Sequence, residues 1–255
     1  MNQSPEEQDL TNQSMIEHLV ELRDRIIKSL YGILAGMLLC WSVSEKIFDL
    51  VRAPIAAYLP TGGLFFTAPM DKFLAHIRLS LFAGVIISAP FWIYQIWKFV
   101  APALYSKEKK YAMGFIFSGT GLFAVGVSFS YFVVFPMAFK FLMTFGGDAD
   151  KPMITIDHYL SFVTTTALAF GVSFELPLIL VILGMMGIIS QQNLKDKRRY
   201  AILGLAVLSA ILTPPDLLSM LMMLVPMLFL YEISVILVGV FERKRQQASA
   251  VGGIE

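Results

Sequence analysis

The chain has 255 residues, a net charge of +1, 15% charged and 56% hydrophobic residues, and a mean hydropathy of +0.68. A soluble domain carries about 25% charged and about 45–50% apolar residues, and a soluble core of this length would leave too much apolar surface in water. An ordinary soluble enzyme, a disordered chain, a fibrous repeat and, with so little basic excess, a dedicated nucleic-acid binder are excluded, which leaves a polytopic membrane protein.

In chain order, residues 1–13 form a polar, acidic tail, and the first apolar run begins too late for the basic and apolar regions of a signal peptide. Ser14 to Lys28 reads as an amphipathic helix. Ser14 and Glu17 make a capping-box pattern, Met15, Leu19, Leu22 and Ile26 form an apolar stripe, and Glu21–Arg25 and Asp24–Lys28 are i,i+4 pairs in the favourable order. A first span follows at about 26–43 and contains the single cysteine, Cys40, so no intramolecular disulfide can form. The loop 44–72 holds Pro54, Pro60, Gly62, Gly63 and Pro69. A second span covers about 73–100, and a short loop with Trp97, Tyr105 and four lysines has Glu108 as its one acid. Spans at about 111–139 and 159–189 flank a loop with Gly146, Gly147, Asp148 and Asp150.

The fifth span, about 200–212, reaches only about 20 Å, short of a hydrocarbon core about 30 Å thick. Either the Thr213-Pro214-Pro215-Asp216 turn lies below the bilayer surface or the membrane thins there. Alternatively, the fifth span and the sixth, about 217–241, form one re-entrant hairpin. The division is therefore a tail, a membrane domain over 14–243 and a second tail over 244–255. Pro90, Pro136, Pro177 and Pro226 should each kink a span, and four bent spans suggest a concave assembly. Six spans place fourteen Lys and Arg on the side of both termini and six on the other (Lys46, Arg52, Lys72, Arg78, Lys140, Lys151), so both termini should be cytoplasmic.

Glu175 is the sharpest single feature. It lies mid-span in Phe170-Gly171-Val172-Ser173-Phe174-Glu175-Leu176-Pro177, and an ionisable group at that depth costs at least about 2.5–3.5 kcal/mol. It can serve as a proton-relay acid, as a polar contact for a partner's side chain, or as a protonated acid bonded to a neighbouring helix. Glu232 lies nearer a span end and can snorkel. The chain has no CxxC, HExxH or nucleotide-binding glycine loop, and His18, His76 and His158 are dispersed. No catalytic residue, metal or cofactor is expected.

Five blocks taken together resemble the TatC family, the signal-peptide receptors of the twin-arginine protein translocase. They are His18-Leu19-Val20-Glu21-Leu22-Arg23-Asp24-Arg25, Phe99-Val100-Ala101-Pro102-Ala103-Leu104-Tyr105 with Glu108, Tyr131-Phe132-Val133-Val134-Phe135-Pro136, the Glu175 block, and Leu212-Thr213-Pro214-Pro215-Asp216. The resemblance implies an all-α, six-span, glove-like receptor in the bacterial cytoplasmic membrane, with short fifth and sixth spans and both termini cytoplasmic. It implies that Glu21 and Glu108, supported by Arg23 and Phe99, bind the paired arginines of a folded cargo's signal peptide. It also implies that single-span TatA- and TatB-type partners dock on the last two spans, that Glu175 offers a polar contact within a multimeric complex, and that Pro54 and Asp216 serve assembly or transport on the outer side. Guanidinium bonds carboxylate in a planar bidentate fashion, so two carboxylates can tell Arg-Arg from Lys-Lys. The lysines around Glu108 oppose such a site unless they point to headgroups. The competing readings are a proton-coupled small-solute transporter working through Glu175 and a scaffold that only organises other spans.

Overall fold

The computed structural model describes residues 5–59, 63–100, 112–144, 153–213 and 217–251. Among them the chain is helical, with α1 Pro5–Trp41, α2 Ser44–Ala56, α3 Asp71–Ile87, α4 Ala89–Val100, α5 Ala112–Phe129, α6 Phe135–Thr144, α7 Ile156–Ser173, α8 Leu176–Met185, α9 Gln191–Asp196, α10 Arg198–Leu212 and α11 Leu217–Val251. A π-helical turn, Ser130–Val134, joins α5 to α6. The extended pairing among the described residues is one bridge, in which Phe65 donates to Ile154 O at 3.0 Å and Ile156 donates to Phe65 O at 2.8 Å.

Three rods, Met113–Thr144, Ile156–Met185 and Met220–Arg243, are long and apolar enough to cross a bilayer. Two further pairs are apolar enough but bent, α1 against α2 by 89° and α3 against α4 by 56°. The 56° bend falls at Ser88, just before Pro90, whose ring and missing N–H break the ladder there. Pro136 follows the π turn, a wider turn that absorbs its missing donor. Pro177 sits in the first turn of α8, where no N–H is needed. Pro226, expected to kink its span, lies inside the continuous helix α11.

Four expectations change. α1 is described from Pro5 onward, so Ser14 lies inside the helix rather than at its N-terminus. Asp24 pairs with Arg23 at 3.1 Å rather than with Lys28. The loop 44–72 contains α2, whose Ser44, Val51 and Ile55 are buried on one face while Glu45, Asp49 and Arg52 are exposed. The fifth helix is short, with 15 residues, but the sixth is not: α11 has 35, because the helix continues past the apolar run into Glu242 and Arg243.

Lipid removes the hydrophobic drive between helices, so small residues that let backbones touch decide the packing. A Cβ on Gly36 would stand 2.8 Å from Gly84 O, and one on Gly84 would stand 2.5 Å from Met37 N, so α1 and α3 cross backbone to backbone. Gly126 plays the same part between α5 and α7, with an added Cβ 2.6 Å from Phe170 O. Beside α2 the core is built on Leu79, Phe135, Phe139, Tyr159 and Leu160. A second cluster centres on Phe170, Met223, Met227 and Tyr231. Leu38, Phe117, Phe132 and Ile211 stand out among the exposed apolar side chains, as lipid-facing positions should.

Candidate functional site

The site grows from the α1–α3 crossing. Gly32 on α1 leaves room for the Phe91 ring of α4, which an added Cβ would meet at 2.4 Å. The 56° bend then lays α4 along the middle of α1, from Gly32 back to His18. His18 and Phe99 stack across this seam, with ring centroids 4.3 Å apart and planes 19° apart. Arg25 donates from Nη2 to Glu21 Oε1 at 2.9 Å and from Nη1 to Gln95 Oε1 at 3.4 Å, while its Nε is buried without a partner. The Glu21 side chain remains 33% exposed and that of Arg25 22%. Arg23 points away into the open and bonds Asp24.

Below this ionic rim runs an apolar groove of about 430 Å³, lined by Leu22, Arg25, Ile26, Ile33, Trp92 and Phe99 among others. Trp92 and Ile96 also line a second cavity of about 170 Å³, closed by Trp97, Phe115, Leu178 and Glu175. The two spaces therefore lie on either side of α4. Trp97 and Phe115 stack at 4.7 Å in the wall of the second. Glu175 lies in the break between α7 and α8, and the absence of a side chain at Gly119 admits its Oε2, which would be 3.3 Å from a Cβ there. Its Oε1 is buried without a hydrogen-bond partner, as are Thr120 Oγ1 and Thr166 Oγ1. Glu175 thus meets apolar walls rather than a counter-charge. Among the described residues no group of His, Cys, Asp and Glu could hold a metal ion.

Pro54 lies inside α2 at the opposite end of α1. Proline cannot donate to the carbonyl four residues back. That carbonyl, Leu50 O, accepts instead from the Tyr131 hydroxyl at 2.8 Å, and Tyr159 donates to Val51 O at 2.5 Å. The proline therefore frees an acceptor that ties α2 to the π turn. Glu232, read as snorkelling, pairs with Arg198 at 2.6 Å. The expected positions Glu108 and Asp216 lie outside the described residues. Of the expected binding residues, Phe99 lines the groove, Glu21 bonds the Arg25 that lines it, Arg23 faces outward, and Glu175 sits behind α4. Sequence reasoning missed Gln95 and the Gly36–Gly84 crossing. The four-residue spacing of Gly32 and Gly36 is the signal that points to a close helix approach.

The family model described as Sec-independent protein translocase protein (TatC) matches residues 17–226. The chain belongs to the TatC family. It is 40% identical over 230 residues to a TatC protein of Desulforapulum autotrophicum, covering 90% of this chain and 85% of the relative. The match to TatC of Escherichia coli K12 is 39% over 224 residues, covering 88% and 87%. Two crystal structures of the twin-arginine translocase receptor TatC superpose with TM-scores of 0.78 and 0.77 at 36% and 37% identity, covering 86% and 87% of this chain and 98% and 97% of theirs. The protein is thus an all-helical membrane component of a protein translocase, and the small-solute transporter reading is set aside.

Proposed function

We propose that this TatC protein is the receptor subunit that captures twin-arginine signal peptides of folded precursors in a bacterial cytoplasmic membrane. Glu21 and Glu108 receive the arginine pair, Phe99 and Arg23 flank it, and the apolar part of the peptide lies along the α1–α4 groove. The supporting observation is Glu21 itself: a part-exposed carboxylate bonded to Arg25, which lines an apolar groove together with the Phe99 that stacks on His18. A part-exposed ion pair contributes only about 0–1 kcal/mol, whereas burying apolar surface contributes about 25 cal/mol per Å². The carboxylates therefore supply discrimination and the groove supplies affinity.

The same reading has six spans with both termini cytoplasmic, TatA- and TatB-type single-span partners against α10 and α11, and Glu175 as a polar contact for them. Pro54 and Asp216 act on the outer side, and with no nucleotide motif the energy comes from the membrane potential or proton gradient. The test is photocross-linking from positions 21 and 108 to a signal peptide carrying Arg-Arg or Lys-Lys, with capture measured for Glu21→Gln and Glu108→Gln. Each variant should weaken Arg-Arg capture roughly fivefold. Unchanged capture by both single variants and the double would overturn the reading.

A further inference from the structure

We propose that Arg25 is a built-in competitor for the cargo's arginine: its guanidinium occupies the Glu21 carboxylate in the free receptor and must be displaced before the peptide can bind. The inference rests on the reading of Glu21 given above and adds a residue that sets its affinity. Arg25 carries the same functional group as the ligand and already contacts the carboxylate, at 2.9 Å. The contact is a poor one for arginine. A single N–H reaches a single carboxylate oxygen, the bond to Gln95 is long at 3.4 Å, and Nε is buried without a partner. A planar guanidinium prefers two parallel bonds, so an incoming arginine can make a better pair than the resident one. Both side chains keep enough exposure, 22% and 33%, for exchange. The displaced Arg25 has an acceptor waiting in Gln95 Oε1 and room in the groove that it lines.

An ion pair of this exposure holds its carboxylate closed by a ratio of about two to five to one. Intramolecular competition lowers every ligand's apparent affinity by the fraction of open sites. Removing the competitor should therefore tighten binding about threefold to sixfold, by the same factor for Arg-Arg and Lys-Lys peptides, leaving their ratio unchanged.

The experiment measures the Kd of fluorescent Arg-Arg and Lys-Lys signal peptides on the purified full chain in lipid nanodiscs. Arg25→Gln should tighten both peptides by that common factor. Gln95→Glu should act in the same direction without altering Arg25, because a carboxylate on α4 draws the guanidinium away from Glu21. Both gains should vanish when either substitution is combined with Glu21→Gln. If Arg25→Gln does not fold, Gln95→Glu decides. Should Glu21→Gln weaken binding while Arg25→Gln and Gln95→Glu leave it unchanged or weaken it, Arg25 merely positions the carboxylate; the competitor role then fails and the receptor reading survives. If Glu21→Gln changes nothing, the competitor role falls, and the receptor reading falls with it only if Glu108→Gln and the double variant also leave binding unchanged.

Discussion

Gly84→Ala tests the crossing on which the groove depends. The new Cβ would lie 2.5 Å from Met37 N, 2.8 Å from Met37 Cα and 3.0 Å from Gly36 C. All three are backbone atoms of a helix and cannot rotate aside, so α1 and α3 must part by about 1 Å to restore ordinary contact. Overpacking of this kind costs about 1–3 kcal/mol, and the better helix propensity of alanine offsets up to about 1 kcal/mol. A net loss of about 1–2 kcal/mol should lower Tm by about 2–8 °C. The chain supplies its own reporter: Cys40 is its single cysteine, 1% exposed, and lies one helical turn beyond Gly36. Thermal unfolding followed by a thiol-reactive fluorophore, with no engineered label, reads the separation directly. Gly121→Ala is the control, since nothing lies within 4 Å of its added Cβ, and it should melt at or above the wild type. If Gly84→Ala melts together with Gly121→Ala, the reasoning from close approach is wrong.

Other substitutions probe separate links. Tyr159→Phe removes the buried hydroxyl bond to the Val51 carbonyl and Tyr131→Phe the more exposed bond to the Leu50 carbonyl, which Pro54 leaves without a helical donor; each should cost about 0.5–1.5 kcal/mol in the same assay, and an unchanged Tm in both would show that neither bond holds α2. Glu175→Gln preserves shape and removes an acid whose Oε1 has no partner, so its Tm should not fall, and a clear drop would show that the carboxyl group holds the fold. Asp157→Asn breaks the Arg78–Asp157 pair of 2.9 Å, whose side chains are 44% and 60% exposed; a shift larger than that of an exposed pair, about 0–1 kcal/mol, would mean that the contact is part of a wider network.

Much of the helical layout is legible in the sequence, because long apolar runs with few charges admit little else. The breaks near Pro90 and Pro177 are legible for the same kind of reason, since a missing donor acts locally. Pro226 shows the limit of that rule: α11 carries it without a break, and local sequence does not reveal how neighbours accommodate the freed carbonyl. Helix α2 escapes because Pro54 and the prolines that follow it read as loop, although Ile47, Val51 and Ile55 keep helical spacing. In the site, the Glu21–Arg25 pair follows from spacing alone. Gln95 does not, because it lies 70 residues from Arg25 and arrives only through the α1–α4 packing. Pro54 is singled out by family likeness, and only the tertiary structure supplies its reason, the Leu50 carbonyl handed to Tyr131. The cost of Glu175 in lipid can be read from its position, but the apolar walls around it cannot.

The right-angle turn after Trp41 has a mechanical consequence. Because α2 lies crosswise to α1, at 89°, and is pinned by Tyr131 and Tyr159, α1 resembles a nail whose head prevents it from sliding along its own axis. Tilting about the Gly36–Gly84 contact is the softer motion left to it. Glu21 stands about 22 Å from that fulcrum, so a tilt of about 5° swings the carboxylate by about 2 Å, enough to make or break a hydrogen bond. A tilt at the Glu21 end would thus reach α2 as leverage rather than as a piston stroke.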